Sequence, residues 1–225
     1  MLRYAISDRV RFPGGERQRQ AGLLKQVERL AASGIDFVQL REKDLEAGAL
    51  ADLGRRLLPV LRAAHPAPRL LINSRADVAV AIGADGVHLT SAPGSLTPAE
   101  VRRLYASAGL REPVVSVSCH TLNEVATARE SGANLILFGP VFEKRVGVEL
   151  VGEGSGLETL HEACIAAAPI PVLALGGITS ENTAACAAAG AAGIAAIRLF
   201  QGTCSRENLA RHPAQTDVDP SPASP

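Results

Sequence analysis

Short apolar runs alternate with amphipathic stretches along almost the whole chain. The runs are rich in Val, Ile and Leu, which is typical of strands, and the stretches between them repeat apolar positions at helical spacing. The predicted strands are Arg3–Asp8, Phe37–Glu42, Leu70–Ser74, Gly86–Thr90, Val114–Cys119, Leu135–Val141, Val172–Gly177 and Gly193–Phe200. The predicted helices are Arg17–Ser33, Glu46–Ala64, Ala76–Ile82, Thr97–Ser107, Leu122–Ser131, Gly156–Ala168, Glu181–Ala189 and Ser205–Arg211.

Several of these strands are apolar on both faces. Leu135–Phe138 and Val172–Leu175 are continuously hydrophobic, which indicates a parallel sheet covered by helices. Eight strands alternating with eight helices predict an α/β protein, a single (β/α)₈ TIM barrel, with an open doubly wound sheet as the alternative. The glycine-rich ends of the last two strands favour the closed barrel.

Composition agrees with one domain. A chain of 225 residues with 47% hydrophobic residues can bury one sizeable core. We predict that residues 1–211 form the barrel. Residues 212–225 hold four prolines and almost no apolar residues, and they are predicted to be a disordered tail rich in proline and serine.

Charge and cysteine content exclude several classes of function. Basic and acidic residues balance at 23 each and aromatic residues make up 3%, which argues against a nucleic-acid partner. No apolar run is long enough to span a membrane and no signal peptide is visible, so we expect a cytoplasmic protein. Four cysteines lie far apart without metal-ligand spacing, and we expect unreactive thiols: Cys119, Cys164, Cys186 and Cys204.

Two neighbouring strand ends predict a phosphate site. The strand before Gly176 and Gly177 runs into a helix start, and paired glycines let backbone N–H groups approach an anion closely. Ile197 and Arg198 lie near the end of the following strand, and barrels commonly bind phosphate after their seventh and eighth strands. These four residues are the candidate phosphate ligands. The alternative is that the two glycines only close a turn.

Other strand ends carry candidate substrate contacts. Alternation places Gln39, Arg41 and Lys43 on one face, where they would offer an amide and two cations to an anionic substrate. The alternative is that the two cations only pair with the neighbouring acids of the same loop. Asn73 ends the third predicted strand and is a further candidate for binding substrate.

Two histidines follow strands in different settings. His88 lies within a strand, and we expect it to be a packed, hydrogen-bonded core residue. His120 comes just after the strand that contains Ser118 and just before a helix, so we expect its imidazole at the barrel mouth, where it could move protons. The alternative for His120 is packing at the helix start.

These residues also carry a family resemblance that runs from Tyr4 to about Phe200. The chain resembles the thiamine phosphate synthase and TenI superfamily, whose motifs are similar to segments 4–8, 39–43 (QLREK), 71–79 (LINSRADVA), 84–89, 138–142 (FGPVF) and 175–178 (LGGI). The resemblance implies a barrel that binds small phosphorylated molecules of thiamine biosynthesis. It also places Ser118 and Gly139 among the substrate contacts.

The chain departs from the synthase pattern at the metal site. In the synthases two aspartates hold Mg²⁺, whereas the corresponding places here resemble Ser74 and the stretch 90–95, and a hard cation needs carboxylate oxygens. The loop after Phe142 also differs, although Lys144 and Arg145 could substitute electrostatically. We therefore expect no metal ligand and no cofactor, with Mg²⁺ required only if the chain is a synthase.

The departures favour the TenI branch, whose thiazole tautomerases aromatise a carboxythiazole phosphate without metal. The resemblance places the catalytic histidine of that branch at His120, and the expected partner is a phosphorylated thiazole. The alternatives are a thiamine phosphate synthase, a phosphate-binding or regulatory barrel without activity, and an unrelated isomerase on the same fold. The sequence leaves open whether the protein is a homo-oligomer.

Overall fold

A computed structural model of the chain describes residues 1–92, 94–146 and 149–201. Eight parallel strands form a closed barrel, which confirms the predicted (β/α)₈ class. The barrel strands are β1 (Leu2–Ile6), β2 (Phe37–Leu40), β3 (Arg69–Asn73), β4 (Gly86–Thr90), β5 (Val114–Cys119), β6 (Leu135–Phe138), β9 (Val172–Leu175) and β10 (Gly193–Ala196). Two further strands, β7 (Lys144–Val146) and β8 (Glu149–Gly152), form an antiparallel hairpin.

Helices follow the barrel strands and cover the outside. They are α1 (Glu16–Ala32), α2 (Ala47–Arg62), α3 (Ala76–Ile82), α4 (Pro98–Ser107), α5 (Leu122–Glu130), α6 (Gly156–Ala167), α7 (Thr183–Ala188) and α8 (Arg198–Gln201). A 3₁₀ turn at Arg9–Arg11 lies between β1 and α1. None of the helices in the described ranges is long and apolar enough to cross a bilayer.

Most element ends lie within one or two residues of the sequence-based prediction, and three details differ more. The eighth barrel strand ends at Ala196, so Arg198 begins a short helix instead of ending a strand. The sixth ends at Phe138, shortly before Pro140, which has no N–H to continue a ladder. The hairpin was not predicted. The predicted helix Ser205–Arg211 and the predicted tail at 212–225 lie outside the described residues.

Two separate cores explain why the strands are apolar on both faces. The larger core fills the layer between strands and helices. The smaller one lies inside the barrel and is formed by Tyr4, Ile6, Leu71, Leu135, Leu137, Leu173 and Ala195. Most barrel strands therefore contribute alternate residues to the two cores, which is why they are apolar on both faces.

The cysteine prediction agrees with the structure at three positions. Cys119 and Cys186 are buried and Cys164 is half-buried, all as free thiols. Burial raises the pKa of the Cys119 thiol to about 12. Burial also raises the pKa of Cys164 and Cys186. A thiol that resists ionisation is a poor nucleophile, so these cysteines are structural. Cys204 lies outside the described residues.

Candidate active site

The loop after β2 presents two cations at the mouth of the barrel. The neighbouring acid Glu42 is buried and engaged by the β1–α1 segment: its carboxylate accepts hydrogen bonds from Ser7 Oγ at 2.5 Å and from the backbone N–H of Arg9 at 3.0 Å. In the described part of the chain, neither Arg41 nor Lys43 forms an ion pair with a carboxylate. The alternative in which these cations pair with the acids of their own loop is therefore not what the structure shows.

A buried arginine, Arg9, binds the acids of this loop instead. Arg9 is 2% exposed and its guanidinium binds Glu42 at 3.2 Å, Asp44 at 2.6 Å and Glu16 at 2.8 Å. Hydrogen bonds from Arg9 lower the pKa of both Glu16 and Asp44. Removing one partner of such a pair leaves a buried charge uncompensated, which commonly costs about 3–5 kcal/mol. The network fixes the loop from which Arg41 and Lys43 extend.

Arg41 is held by the same network. Its backbone N–H donates to Ser7 Oγ at 2.8 Å, so the hydroxyl links Arg41 to Glu42. The guanidinium is close enough to His88 to lower the pKa of that imidazole, after burial, which is the larger cause. Arg41 is half-buried and Lys43 is exposed. Arg41 therefore lies at the inner side of the mouth and Lys43 at its rim.

Gln39 and Asn73 meet inside the mouth. The Gln39 amide Nε2 donates to Asn73 Oδ1 at 2.7 Å, as expected if both side chains belong to one site. Gln39 is 1% exposed, and its Oε1 is buried with no hydrogen-bond partner among the described groups. An unpaired buried acceptor costs free energy unless a ligand supplies a donor. This oxygen is therefore able to accept a hydrogen bond from an N–H or O–H group of a ligand.

His88 is a packed core residue, in agreement with its predicted role. Its Nδ1 lies 2.8 Å from Ser116 Oγ and its Nε2 lies 2.8 Å from Ser118 Oγ. Burial, with the positive charge of Arg41 nearby, lowers the pKa of His88 to about 3. His88 is therefore neutral at physiological pH. It connects the barrel interior to Ser118, which is half-buried at the end of β5.

His120 is exposed at the start of α5. Thr121 is the N-cap of that helix, and the Glu124 carboxylate accepts hydrogen bonds from the backbone N–H groups of both His120 and Thr121. The imidazole Nδ1 contacts the carbonyl oxygen of Gly139. A carbonyl can only accept, so Nδ1 carries a proton, and in the neutral imidazole Nε2 is then the acceptor.

Gly139 supports this contact by packing. A Cβ at Gly139 would lie 2.0 Å from the carbonyl oxygen of Leu175, so a larger residue cannot fit at this position. The carbonyl oxygen of Gly139 contacts His120. Gly139 therefore affects the site by orienting that histidine.

The turn after β9 holds the two glycines of the predicted phosphate site. Gly176 and Gly177 have φ angles of +92° and +65°, which only glycine adopts readily. The turn lines a cavity of about 680 Å³ together with residues 142–143 and Arg198. Within the described ranges, no backbone acceptor faces the N–H groups of Gly177 and Ile178. These two donors and the exposed Arg198 are available to an anion.

Two of the predicted phosphate ligands also contribute to packing. A Cβ at Gly177 would lie 2.6 Å from the Cβ of Phe142, so the glycine is also needed for packing against the 140–143 loop. Ile197 is half-buried against the core inside the barrel. Its side chain contributes to packing, and Arg198 is the more informative residue for testing the site.

The two candidate anion-binding ends are separated by one strand. Around the barrel β10 and β2 both pair with β1, so the Arg198 end and the Arg41 end are separated by two strand spacings, about 10 Å. Gln39 lies on β2 itself, and Asn73 and Ser118 lie on β3 and β5, which follow β2 on the side away from β1. The mouth therefore has cationic side chains at two points and polar side chains at and beyond one of them.

The mouth does not fit Mg²⁺. Three acids near it are engaged: Glu42 by Arg9, Asp77 by Arg75 at 2.6 Å, and Glu124 by the backbone N–H groups at the start of α5. The described residues contain no group of three His, Cys, Asp or Glu side chains able to hold a metal ion. Only an amide and a hydroxyl, those of Asn73 and Ser74, stand at the end of β3, whereas Mg²⁺ prefers carboxylates.

Sequence reasoning missed two features of this site. The Arg9 network was not predicted because the residues that meet lie about 33 positions apart, and charge patterning along a chain does not reveal such pairing. The bond between Tyr4 OH and Ser116 Oγ, 3.1 Å long, was missed for the same reason, with a separation of 112 positions. The signal available in the sequence was a serine and a tyrosine at inward positions of apolar strands.

Comparison with known proteins gives a consistent result. A family model described as thiamine monophosphate synthase matches residues 4–200. A relative from Geobacter sulfurreducens, whose thiamine-phosphate synthase name is provisional, is 41% identical over 86% of this chain and 84% of the relative. The thiamine-phosphate synthase of Roseiflexus castenholzii is 36% identical over 92% of this chain and 84% of its own. The solved thiamine phosphate pyrophosphorylase from Pyrococcus furiosus shares the fold, with a TM-score of 0.74 and 24% identity over 92% of this chain and 91% of its own.

These findings correct the expected activity. The expectation of a thiazole tautomerase, and so of an isomerase, is wrong, because relatives at 35–36% identity are named thiamine-phosphate synthases, which are transferases. The absence of carboxylates at the expected metal positions concerns how the negative charge of a substrate is neutralised. It does not determine which reaction is catalysed. The superfamily resemblance is confirmed. The chain belongs to the thiamine monophosphate synthase family.

Proposed function

We propose that this chain is a thiamine-phosphate synthase, which joins hydroxymethylpyrimidine diphosphate to thiazole phosphate. A bond forms between the pyrimidine methylene carbon and the thiazole ring nitrogen, the bond from that carbon to the diphosphate oxygen breaks, and diphosphate leaves. The observation that carries the proposal is the 36% identity to a thiamine-phosphate synthase over 92% of the chain. The two anion-binding ends support it, because each substrate carries its own phosphate group.

Arg41 and Lys43 bind the diphosphate. Their neighbouring acids are held by Arg9, so their charge is available to the substrate. Negative charge grows on the diphosphate as its bond to carbon breaks, and fixed cations stabilise that charge more in the transition state than in the bound substrate. Because the mouth does not fit Mg²⁺, we assign this neutralisation to the two side chains alone.

The pyrimidine lies over the amide pair. Gln39 Oε1, buried without a partner, accepts a hydrogen bond from the amino group of the pyrimidine. Asn73 holds the Gln39 amide in the orientation that presents this oxygen. Ser118 contributes a hydroxyl from β5, which only β6 separates from the strand before the phosphate end.

The thiazole phosphate lies at the turn after β9. The N–H groups of Gly177 and Ile178 donate to the phosphate, Gly176 gives the backbone its turn, and Arg198 supplies a charge at the cavity wall. Ile197 packs beneath this end. Rigid backbone donors fix the position of the phosphate, and with it the direction in which the thiazole nitrogen points.

His120 binds substrate in this reaction. The attacking thiazole nitrogen carries no proton, so joining the two substrates requires no general base. We assign His120 to a contact through its free Nε2, with Nδ1 held by the Gly139 carbonyl. Its replacement should therefore affect substrate affinity more than turnover.

The test is product formation by the purified chain. Hydroxymethylpyrimidine diphosphate and thiazole phosphate are supplied together, and thiamine phosphate and released diphosphate are measured by chromatography. Arg41→Gln removes the inner cation and should lower kcat/KM for the pyrimidine diphosphate by about 10²-fold, in the range for loss of one charge-stabilising group. Lys43→Gln, at the exposed rim, should have a smaller effect.

A matched control uses an arginine on the outer surface. Arg55 lies on α2 in an exposed pair with Asp52, so Arg55→Gln changes the net charge equally without touching the mouth. Its kinetics should equal those of the wild type. Equal losses in Arg41→Gln and Arg55→Gln would contradict the assignment of Arg41 to the diphosphate.

A further inference from the structure

Four side chains form a hydrogen-bonded chain from the barrel interior to the mouth. Tyr4 OH lies 3.1 Å from Ser116 Oγ, which lies 2.8 Å from His88 Nδ1, and His88 Nε2 lies 2.8 Å from Ser118 Oγ. Tyr4 and Ser116 are fully buried, His88 is 4% exposed, and Ser118 is half-buried. We call this set the Tyr4–Ser118 chain.

Burial determines the direction of the first bond. The Tyr4 hydroxyl has one hydrogen-bond partner in the described structure, Ser116, and a buried O–H without an acceptor is costly. Tyr4 therefore donates to Ser116. The hydroxyl proton of Ser116 must then go to its other partner, the Nδ1 of His88.

The direction continues through the imidazole. A nitrogen that accepts a hydrogen bond carries no proton, so Nδ1 is bare, and the single proton of neutral His88 is on Nε2. Nε2 then donates to Ser118 Oγ. The opposite tautomer would place two donors against Ser116 and leave its hydroxyl proton buried without an acceptor.

The hydroxyl of Ser118, at the end of the Tyr4–Ser118 chain, therefore donates toward the mouth. Ser118 accepts from His88, so its own proton is not used by any described group and can reach a ligand. Were Nε2 bare, it would take that proton, and Ser118 would face the mouth with lone pairs only. The charge of Arg41 acts on His88, so the ligand atom expected at this end of the Tyr4–Ser118 chain is an anionic oxygen.

We propose that His88 is a positioning residue: its Nε2–H tautomer, imposed by Tyr4 and Ser116, orients Ser118 to donate its proton to an anionic oxygen bound beside Arg41. The identity of that oxygen as part of a diphosphate rests on the proposed function. The tautomer and the donor direction rest on the hydrogen bonds alone.

The tautomer is measured directly by NMR. Long-range ¹⁵N–¹H spectra of the full chain with ¹⁵N-labelled histidine distinguish the two neutral tautomers and the imidazolium, and His88→Gln identifies the signals of His88. We expect neutral His88 protonated on Nε2 at pH 7. Protonation on Nδ1, or an imidazolium, would overturn the proposal.

The donor direction is measured by binding of inorganic pyrophosphate to the full chain in chelator, by calorimetry. Ser118→Ala should weaken binding about tenfold, the loss expected for one hydrogen bond to a charged group, and Ser118→Thr should stay near wild type. If Ser118 instead presented lone pairs to the anion, Ser118→Ala would bind equally or more tightly, and that result would overturn the proposal. Arg41→Gln, which should weaken binding strongly, assigns the signal to this end of the mouth.

A pair of His88 variants separates positioning from general stability. The glutamine amide in His88→Gln reaches as far as Nε2 and can donate to Ser118, whereas the shorter side chain in His88→Asn reaches only the Ser116 side. Pyrophosphate binding should be retained within about threefold in His88→Gln and should fall as in Ser118→Ala in His88→Asn. Equal binding by both variants would contradict a positioning role. Neither binding nor tautomer requires turnover, so failure of the synthase reaction would leave these results interpretable.

Discussion

Mild acid should destabilise this barrel through His88. Burial, with Arg41 nearby, lowers the pKa of His88 from 6.5 to about 3 in the folded chain. The unfolded chain therefore binds a proton at His88 between these two pH values and the folded chain does not. Stability from the neutral imidazole is fully present above pH 6.5 and is lost as the pH falls from 6.5 toward 3.

The size of the effect follows from the shift. One pKa unit corresponds to about 1.4 kcal/mol, so moving from pH 6.5 to pH 5 should reduce the free energy of unfolding by about 2 kcal/mol through His88 alone. Glu16 and Asp44, whose pKa is lowered by Arg9, add their own loss only at lower pH. Burial raises the pKa of the third acid, Glu42, and its protonation favours the folded chain as the pH falls. The His88 contribution is therefore the difference between the wild type and His88→Gln over this interval.

Urea unfolding at half-unit pH steps measures this loss. His88→Gln should be less stable than the wild type at pH 7, and its stability should change little between pH 6.5 and 5. His161→Gln is the matched control, because His161 is exposed on α6, and it should keep the wild-type slope. Parallel pH curves for the wild type and His88→Gln would refute the assignment of the acid loss to His88.

Three further results are expected. Arg9→Ala leaves Glu42 buried without its cation and should cost about 3–5 kcal/mol of unfolding free energy in urea denaturation, whereas an equal effect from Arg55→Ala would contradict a special role for the buried network. Arg198→Gln should raise the KM for thiazole phosphate about tenfold with kcat nearly unchanged, because it removes one charged hydrogen bond, and an unchanged KM would exclude Arg198 from the phosphate end. His120→Asn should change kcat less than tenfold in steady-state assays, and a loss of about 10²-fold or more would indicate proton transfer by His120.

The barrel could be predicted because each strand repeats the same local signal. Leu135–Phe138 and Val172–Leu175 are continuously apolar, and burial on both faces is what a covered parallel sheet requires. Element ends were less accurate. Arg198 was assigned to a strand, but the strand ends at Ala196 because pairing partners, which a single sequence does not show, determine where the ladder stops.

Parts of the site followed from strand ends and others did not. Gln39 contacts Asn73, and both were predicted separately as substrate contacts. His120, predicted as the catalytic residue, contacts Gly139, which was predicted as a substrate contact. The Arg9 network and the bond from Tyr4 to Ser116 depend on residues far apart in sequence, and their partners become visible only in the closed barrel.

The activity was mispredicted for a chemical reason. Ser74 and the engaged acids around the mouth indicate that a phosphate is neutralised by side chains instead of a metal ion. Both a metal-free isomerase and a metal-free transferase are compatible with that property. The two activities are distinguished by sequence similarity to thiamine-phosphate synthases over most of the chain. A chain that lacks a metal-ligand set can still belong among synthases if arginine and lysine take over the charge.

The most direct test is to supply hydroxymethylpyrimidine diphosphate and thiazole phosphate to the purified chain in excess chelator and to quantify the products. We expect thiamine phosphate and diphosphate in a one-to-one ratio, with little change when Mg²⁺ is added, because Arg41 and Lys43 provide the positive charge. Product that forms only with Mg²⁺ would contradict neutralisation by side chains alone. Absence of thiamine phosphate both in chelator and with Mg²⁺ would contradict synthase activity itself.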